Sequence, residues 1–259
     1  MPPITLLLKG VVDRLHNRTM AKYTGNELEL FAHATNWKRY YARRIKPGIG
    51  ARVLEVGAGI GETTRHLCAG THQKWVCLES DEDLCDQVRG KISSGGLPPC
   101  CSVVHGTVDD LGVEERFDSI IYVDVLEHIE DDQGELARAS GLVAPGGSLI
   151  VMAPAQQCLY SAFDRRIGHY RRYDRQRLKK ICPPGFFFER LEYLDSIGTL
   201  ALLANRLLLK QTTPKLWQVA LWDGIMVPLS RCVDPLLCHG FGKSILAVMS
   251  RRGTGGLAD

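Results

Sequence analysis

Glycines at positions 57, 59 and 61, with acids at 55 and 62 around them, are the residues of this 259-residue chain best placed to meet a ligand. Glycine lets the backbone approach closely, because no Cβ intervenes and positive φ costs little. Val53, Leu54 and Val56 read as a short apolar strand before the turn, and a polar, helix-compatible run opens at Glu62. Strand, tight turn and helix start make a seat for a nucleotide or nucleoside. The pyrophosphate-binding pattern Gly-x-Gly-x-x-Gly would put its third glycine at position 62. Glu stands there, and a carboxylate repels phosphate. Glu55 adds a second negative charge, expected to face the same crevice, which suits a ligand carrying ammonium and sulfonium cations.

S-adenosylmethionine is such a ligand. The run Val53-Leu54-Glu55-Val56-Gly57-Ala58-Gly59-Ile60-Gly61 resembles the first motif of the class I S-adenosylmethionine-dependent methyltransferases. Lys74 to Leu78 reads as the second strand, ending in Glu79-Ser80-Asp81. An acid at that point accepts hydrogen bonds from ribose hydroxyls, since two vicinal donors suit one carboxylate. Glu79 fits this role with Ser80 beside it, and Asp81 fits a helix cap better. The resemblance implies two further contacts. Gly106-Thr107-Val108-Asp109-Asp110 matches the stretch that cradles adenine, with a backbone N–H near Val108 and Asp109 accepting from the exocyclic amine. Asp124-Val125-Leu126-Glu127-His128-Ile129 matches the fourth motif, which lines the methionine end of the cofactor. It is not the Asn/Asp-Pro-Pro-Tyr tetrad that grips a flipped base, which disfavours methylation of DNA adenine.

Two histidines are candidate catalytic bases, because imidazole titrates near working pH. His169 is the first choice; His128 is either a second base or a structural histidine at a strand end. Around His169, paired arginines and two tyrosines suit an anionic or aromatic acceptor, so Arg166, Tyr170, Arg171, Arg172 and Tyr173 are read as acceptor-binding. Arg175, Arg177, Lys179 and Lys180 are read as a solvated helix face. Glu127 and His128 invite a metal, but no third and fourth ligand stands at convincing spacing, and none is expected. The stretch Ala162 to Tyr173 and the late Phe241-Gly242-Lys243-Ser244 resemble a bacterial group of small-molecule class I methyltransferases, so the resemblance runs over nearly the whole chain.

The elements that must position these residues alternate. Strands are expected at 53–56, 74–78, 102–105, 117–123 and 148–152, with helices between them and a turn at Ala144-Pro145-Gly146-Gly147. That order specifies an α/β, doubly wound, Rossmann-like sheet whose ligands sit at the carboxyl ends of the strands. Phe186–Leu194 and Ser244–Met249 complete seven strands. The expected organisation is one domain: a helical cap over 1–50, a cofactor-binding core over 51–195, a helical insertion over 196–240, the last strand over 241–250 and a tail over 251–259. Tyr23 and Trp37 in the cap are aromatics that lie over the cofactor pocket or simply in the core. The insertion is amphipathic and suits a lid, a homodimer face or contact with a membrane surface.

Composition agrees with a soluble globule: 45% hydrophobic and 24% charged. Eight arginines and lysines against two aspartates between Asp164 and Lys180 gather the excess positive charge of a chain whose net charge is +3. One patch is not the distributed basic face of a nucleic-acid binder. Nine scattered cysteines without a Cys-x-x-Cys pair argue for reduced thiols in a cytoplasm. No apolar run is long enough to span a membrane. The reading is methyl transfer from S-adenosylmethionine to a small acceptor, with an RNA methyltransferase or a non-catalytic binding protein on the same scaffold as alternatives.

Overall fold

The structure is a computed structural model and describes residues 27–204 and 215–253. Tyr23, Asn205, Arg206, Lys210 and most of the expected tail lie outside the described residues. Helices α1 (Glu27–Ala32) and α2 (Thr35–Ile45) lead into β1 (Arg52–Val56), α3 (Glu62–Leu67), β2 (Lys74–Glu79), α4 (Glu82–Ser93), β3 (Cys101–His105), β4 (Phe117–Val123), α5 (Asp132–Leu142) and β5 (Val143–Pro154). Then come α6 (Ala162–Arg166), α7 (Arg175–Ile181), β6 (Phe186–Leu194), α8 (Ser196–Ala204), α9 (Leu216–Leu221), a π turn (Trp222–Met226), α10 (Val227–Leu236) and β7 (Ser244–Arg251).

The seven strands form one sheet in the order β3-β2-β1-β4-β5-β7-β6. The first five are parallel, while β7 runs antiparallel to both β5 and β6. The order reverses between β1 and β4, the crevice where open α/β sheets bind ligands. Central strands are apolar on both sides because both faces are covered. Val53, Cys77, Ile121, Ile150 and Leu246 pack under α2, whereas Leu54, Val76, Ile120, Val151 and Ile245 pack against α5 and α7. The turn expected at Ala144 to Gly147 is instead an irregularity within β5, where the register with β4 shifts between Phe117 and Ser119.

The two helical parts at opposite ends of the sequence form one layer on the α2 face. Asp223 accepts from the backbone N–H of Asn36 (3.1 Å) and Trp37 (2.8 Å), capping α2 from the insertion. Tyr40 donates to Asp234 (2.7 Å), which also takes the N–H groups of Asp195 and Ser196. The inner side of the insertion buries Val219, Trp222 and Val227; its outer side leaves Trp217, Ile225, Leu229 and Leu236 exposed. No helix among the described residues is long and apolar enough to cross a membrane.

Candidate active site

The turn after β1 holds Gly57, Gly59 and Gly61 at φ of 67°, 55° and 77°. A Cβ on Gly57 would stand 2.5 Å from a methyl of Val125, which closes over the turn from the end of β4, so only glycine fits. Leu28 of α1 lies over Gly59. Glu79, at the end of β2, accepts from the Gly59 N–H (2.8 Å) with one oxygen and from the Ser80 (2.8 Å) and Asp81 (3.1 Å) N–H groups with the other. Of its roughly four acceptor sites, one on Oε2 stays open for a ribose hydroxyl. Gly59, Glu79 and Val125 thus meet at one place, and the open backbone with a carboxylate beside it fits an adenosyl ligand. Asp81 caps α4, as expected. Val108 is buried at the end of β3, and Asp109 beside it is exposed and paired with Arg138 (3.2 Å).

Glu55 does not face this crevice. Its side chain points from the α2 face of β1, 2% exposed, and one oxygen accepts from Thr64 Oγ1 (2.7 Å) and Trp75 Nε1 (2.8 Å). Strand alternation decides this: Val53 and Glu55 share a face, and that face is covered. Burial pushes the Glu55 carboxyl up to about 7. Glu62 is paired with Arg65 (2.7 Å) and Lys91 (2.8 Å), so neither acid presents a bare charge to the ligand seat.

On the acceptor side, residues with left-handed φ follow three strands: Asp124 (54°) after β4, Gln156 (66°) after β5 and Asp195 (63°) after β6. Such conformations in non-glycine residues concentrate at functional sites. After Asp124, a 3₁₀ turn over Leu126–His128 carries Glu127 inward and His128 to a solvent-facing edge. The loop after β5 brings His169 onto this turn. The Tyr170 N–H donates to the Glu127 carbonyl (2.8 Å), and the His128 and His169 rings meet edge to face at 4.6 Å. His169 Nδ1 bonds Asp164 Oδ1 (3.1 Å), and its Nε2 stands 3.7 Å from Glu127 Oε1.

Asp164 is the residue that sequence reasoning missed, although Ser161-x-x-Asp164 is a legible capping box. It is 1% exposed and accepts from Arg172 Nε (2.9 Å) and Nη2 (3.0 Å). Burial pushes its carboxyl up, but the His169 hydrogen bond and the Arg172 charge outweigh that and bring it down to about 2. Burial, reinforced by the Asp124 charge, holds the Glu127 carboxyl well above the usual range. His128 keeps solvent contact, yet its packed surroundings and the neighbouring His169 push it down to about 4.

Three of the five residues read as acceptor-binding are committed elsewhere. Arg172 serves Asp164. Arg171 donates to the carbonyls of Ile129 and Glu130 and pairs with Asp132 (3.0 Å). Tyr173 is fully buried and donates to the Leu126 carbonyl (3.0 Å) and Asp132 (2.9 Å). Arg172 and Tyr173 are buried polar groups that must have partners, and the interior supplies them. Arg177, read as a solvated residue, holds Asp132 as well (2.8 Å), and Arg175 donates to the His239 carbonyl. Arg166 and Tyr170 stay exposed. Lys243, in the Gly-Lys-Ser stretch before β7, lies 3.6 Å from the Trp222 ring centre and 3.4 Å from Asp195. Gly242 admits it, since a Cβ there would meet the Leu194 carbonyl oxygen at 2.2 Å.

Residues 53–147, from β1 into β5, match the family described as a methyltransferase domain. These residues carry a methyltransferase domain, and the fold around them is that of the class I S-adenosylmethionine-dependent methyltransferases. A demethylmenaquinone methyltransferase of Tropheryma whipplei (strain Twist) is 26% identical over 180 residues, 66% of this chain and 69% of that protein. A ubiquinone biosynthesis O-methyltransferase of Xanthomonas axonopodis pv. citri is 29% identical over 123 residues, 46% of this chain and 50% of its own length. The N-methyltransferase NodS of Bradyrhizobium japonicum WM9, solved with S-adenosylhomocysteine, superimposes with a TM-score of 0.54 at 14% identity, covering 85% of this chain and 88% of NodS. That likeness is one of fold. The methyltransferase domain makes the protein an enzyme whose cofactor is S-adenosylmethionine.

Proposed function

We propose that this methyltransferase acts on a small, ring-containing acceptor bound between the ends of β4 and β5. Bound S-adenosylmethionine supplies a methyl group on a positively charged sulfur, an electrophile that needs an aligned nucleophile. On this reading Gly57, Ala58, Gly59 and Gly61 cradle the cofactor, and Glu79 with Ser80 takes its ribose. Val108 and Asp109 flank the adenine, and Asp124 and Val125 line the methionine end. Alignment supplies much of the rate. His169, held by Asp164, faces the acceptor, and His128 stands beside it. Tyr170 and Arg166 lie at the rim, with a cytoplasmic setting as part of the same proposal.

One observation carries the reading: Arg171, Arg172 and Arg177 of the basic patch are consumed by Asp132 and Asp164 of the same chain. The relatives named for menaquinone and ubiquinone biosynthesis support a ring acceptor. A second reading, an RNA methyltransferase, has a cluster in its favour, since Arg39, Arg43, Lys46, Arg65 and His66 line one shallow pocket. The test is transfer of labelled methyl from S-adenosylmethionine to a panel of phenols, quinols and carboxylated rings, with total RNA in parallel. Label in a small acceptor, falling roughly a hundredfold or more in kcat for His169→Gln, is expected. Label in RNA alone would replace the proposal with its rival.

A further inference from the structure

Glu127 is the least satisfied group in the site. It is 0% exposed, and neither carboxylate oxygen has a hydrogen-bond partner among the described residues. A buried carboxylate left in that state is costly, and a protonated one would still leave its polar atoms unanswered. What faces it are imidazoles: one ligand atom each from Glu127, His128 and His169 lies within 4.8 Å of the others. We propose that Glu127, His128 and His169 hold one divalent transition-metal ion at the acceptor end of the crevice.

The geometry is that of a prepared ligand set. Asp164, salt-bridged to Arg172, is an acceptor, so His169 Nδ1 donates to it and Nε2 is turned toward Glu127. A carboxylate behind a ligating histidine fixes tautomer and orientation and raises ligand basicity. Asp164 is itself fixed by Ser161 (2.7 Å) as well as Arg172. Two imidazoles and one carboxylate suit manganese, iron, cobalt or zinc better than magnesium or calcium. Three protein ligands leave positions open, and His128 marks the solvent side.

Resting on the function proposed above, the open positions would receive an oxygen of the acceptor, whose hydroxyl loses its proton more readily on a cation. The acceptor class is then a ring bearing hydroxyl or carboxylate oxygens. The metal site is tested without methyl transfer, so either idea can fail alone. Full-length protein stripped with chelator is titrated with Co(II) and followed by visible absorption. We expect one equivalent bound with weak ligand-field bands and no thiolate charge-transfer band. Affinity should fall roughly tenfold or more in His169→Gln and Glu127→Gln, and roughly 10–100-fold in Asp164→Asn. Circular dichroism reports whether these variants fold, and His128→Gln, on the solvent edge, gives the same loss without a core change. No cobalt binding by wild type, binding indifferent to His128→Gln and His169→Gln, or a thiolate band placing the ion at Cys68, Cys100 and Cys101 would each overturn the proposal.

Discussion

Glu55 occupies the middle of a strand whose neighbours are apolar, and burial sets its titration, with Glu79 adding to the rise and hydrogen bonds from Thr64 and Trp75 opposing it. Because the folded carboxyl titrates at about 7 against 4.5 when free, its contribution to stability is fully present below pH 4.5 and lost as pH rises through about 7. The loss is on the order of 3 kcal/mol. Urea unfolding of wild type at a series of pH values should show this decline, and Glu55→Gln should flatten it. At Gly57 the constraint is steric as well as conformational, because positive φ and Val125 both exclude a side chain. Gly57→Ala should cost about 1–3 kcal/mol and displace Val125, and calorimetry should find S-adenosylhomocysteine binding weakened. Glu79→Ala should reduce that affinity roughly tenfold or more and also cost about 1–3 kcal/mol in urea unfolding, since it leaves the buried Gly59 and Asp81 N–H groups without their acceptor.

The loop and helices from Ser161 to Ile181 behave as one element fastened by three buried contacts. Asp164 holds Arg172 and His169, Asp132 of α5 holds Arg171, Arg177 and Tyr173, and the Tyr160 hydroxyl donates to the His169 carbonyl (2.6 Å). Removing one partner of a buried pair leaves the other charge uncompensated. Arg172→Ala should therefore cost about 3–5 kcal/mol, measured by denaturant unfolding, whereas Arg166→Ala on the exposed rim should stay within about 0.5 kcal/mol. The same contrast explains why spacing misled at 171–173. An arginine prepared for a ligand and one prepared for a buried aspartate look identical in sequence, and Asp132 stands at the start of α5, before β5 and α6.

Across the whole molecule, the leader helices and the insertion are one cooperative layer. Asp223 and Asp234 fasten α2, Trp37 and Trp222 pack within 5.9 Å, and Lys243 lies against both rings from the start of β7. Asp234→Ala removes the acceptor for Tyr40, Asp195 and Ser196 together. Amide exchange should then accelerate in residues 35–45 and 227–236 in parallel, while β1 and β4 stay protected; acceleration in only one of the two segments would show that they open independently.

The order of strands and helices and the glycine turn with an acid closing the second strand were legible in the sequence, as was the methyltransferase domain. These depend on local rules: period-two burial along strands, glycine where φ is positive, an acid where a strand ends. The face that Glu55 takes was accessible by the same alternation once both faces of the sheet were known to be covered. The antiparallel entry of β7 between β5 and β6, the joining of leader to insertion, and the meeting of Glu127, His128 and His169 on Asp164 were decided by tertiary structure. Each is a pairing between segments far apart in the chain, and a buried polar group shows its partner only after the fold has brought the two together.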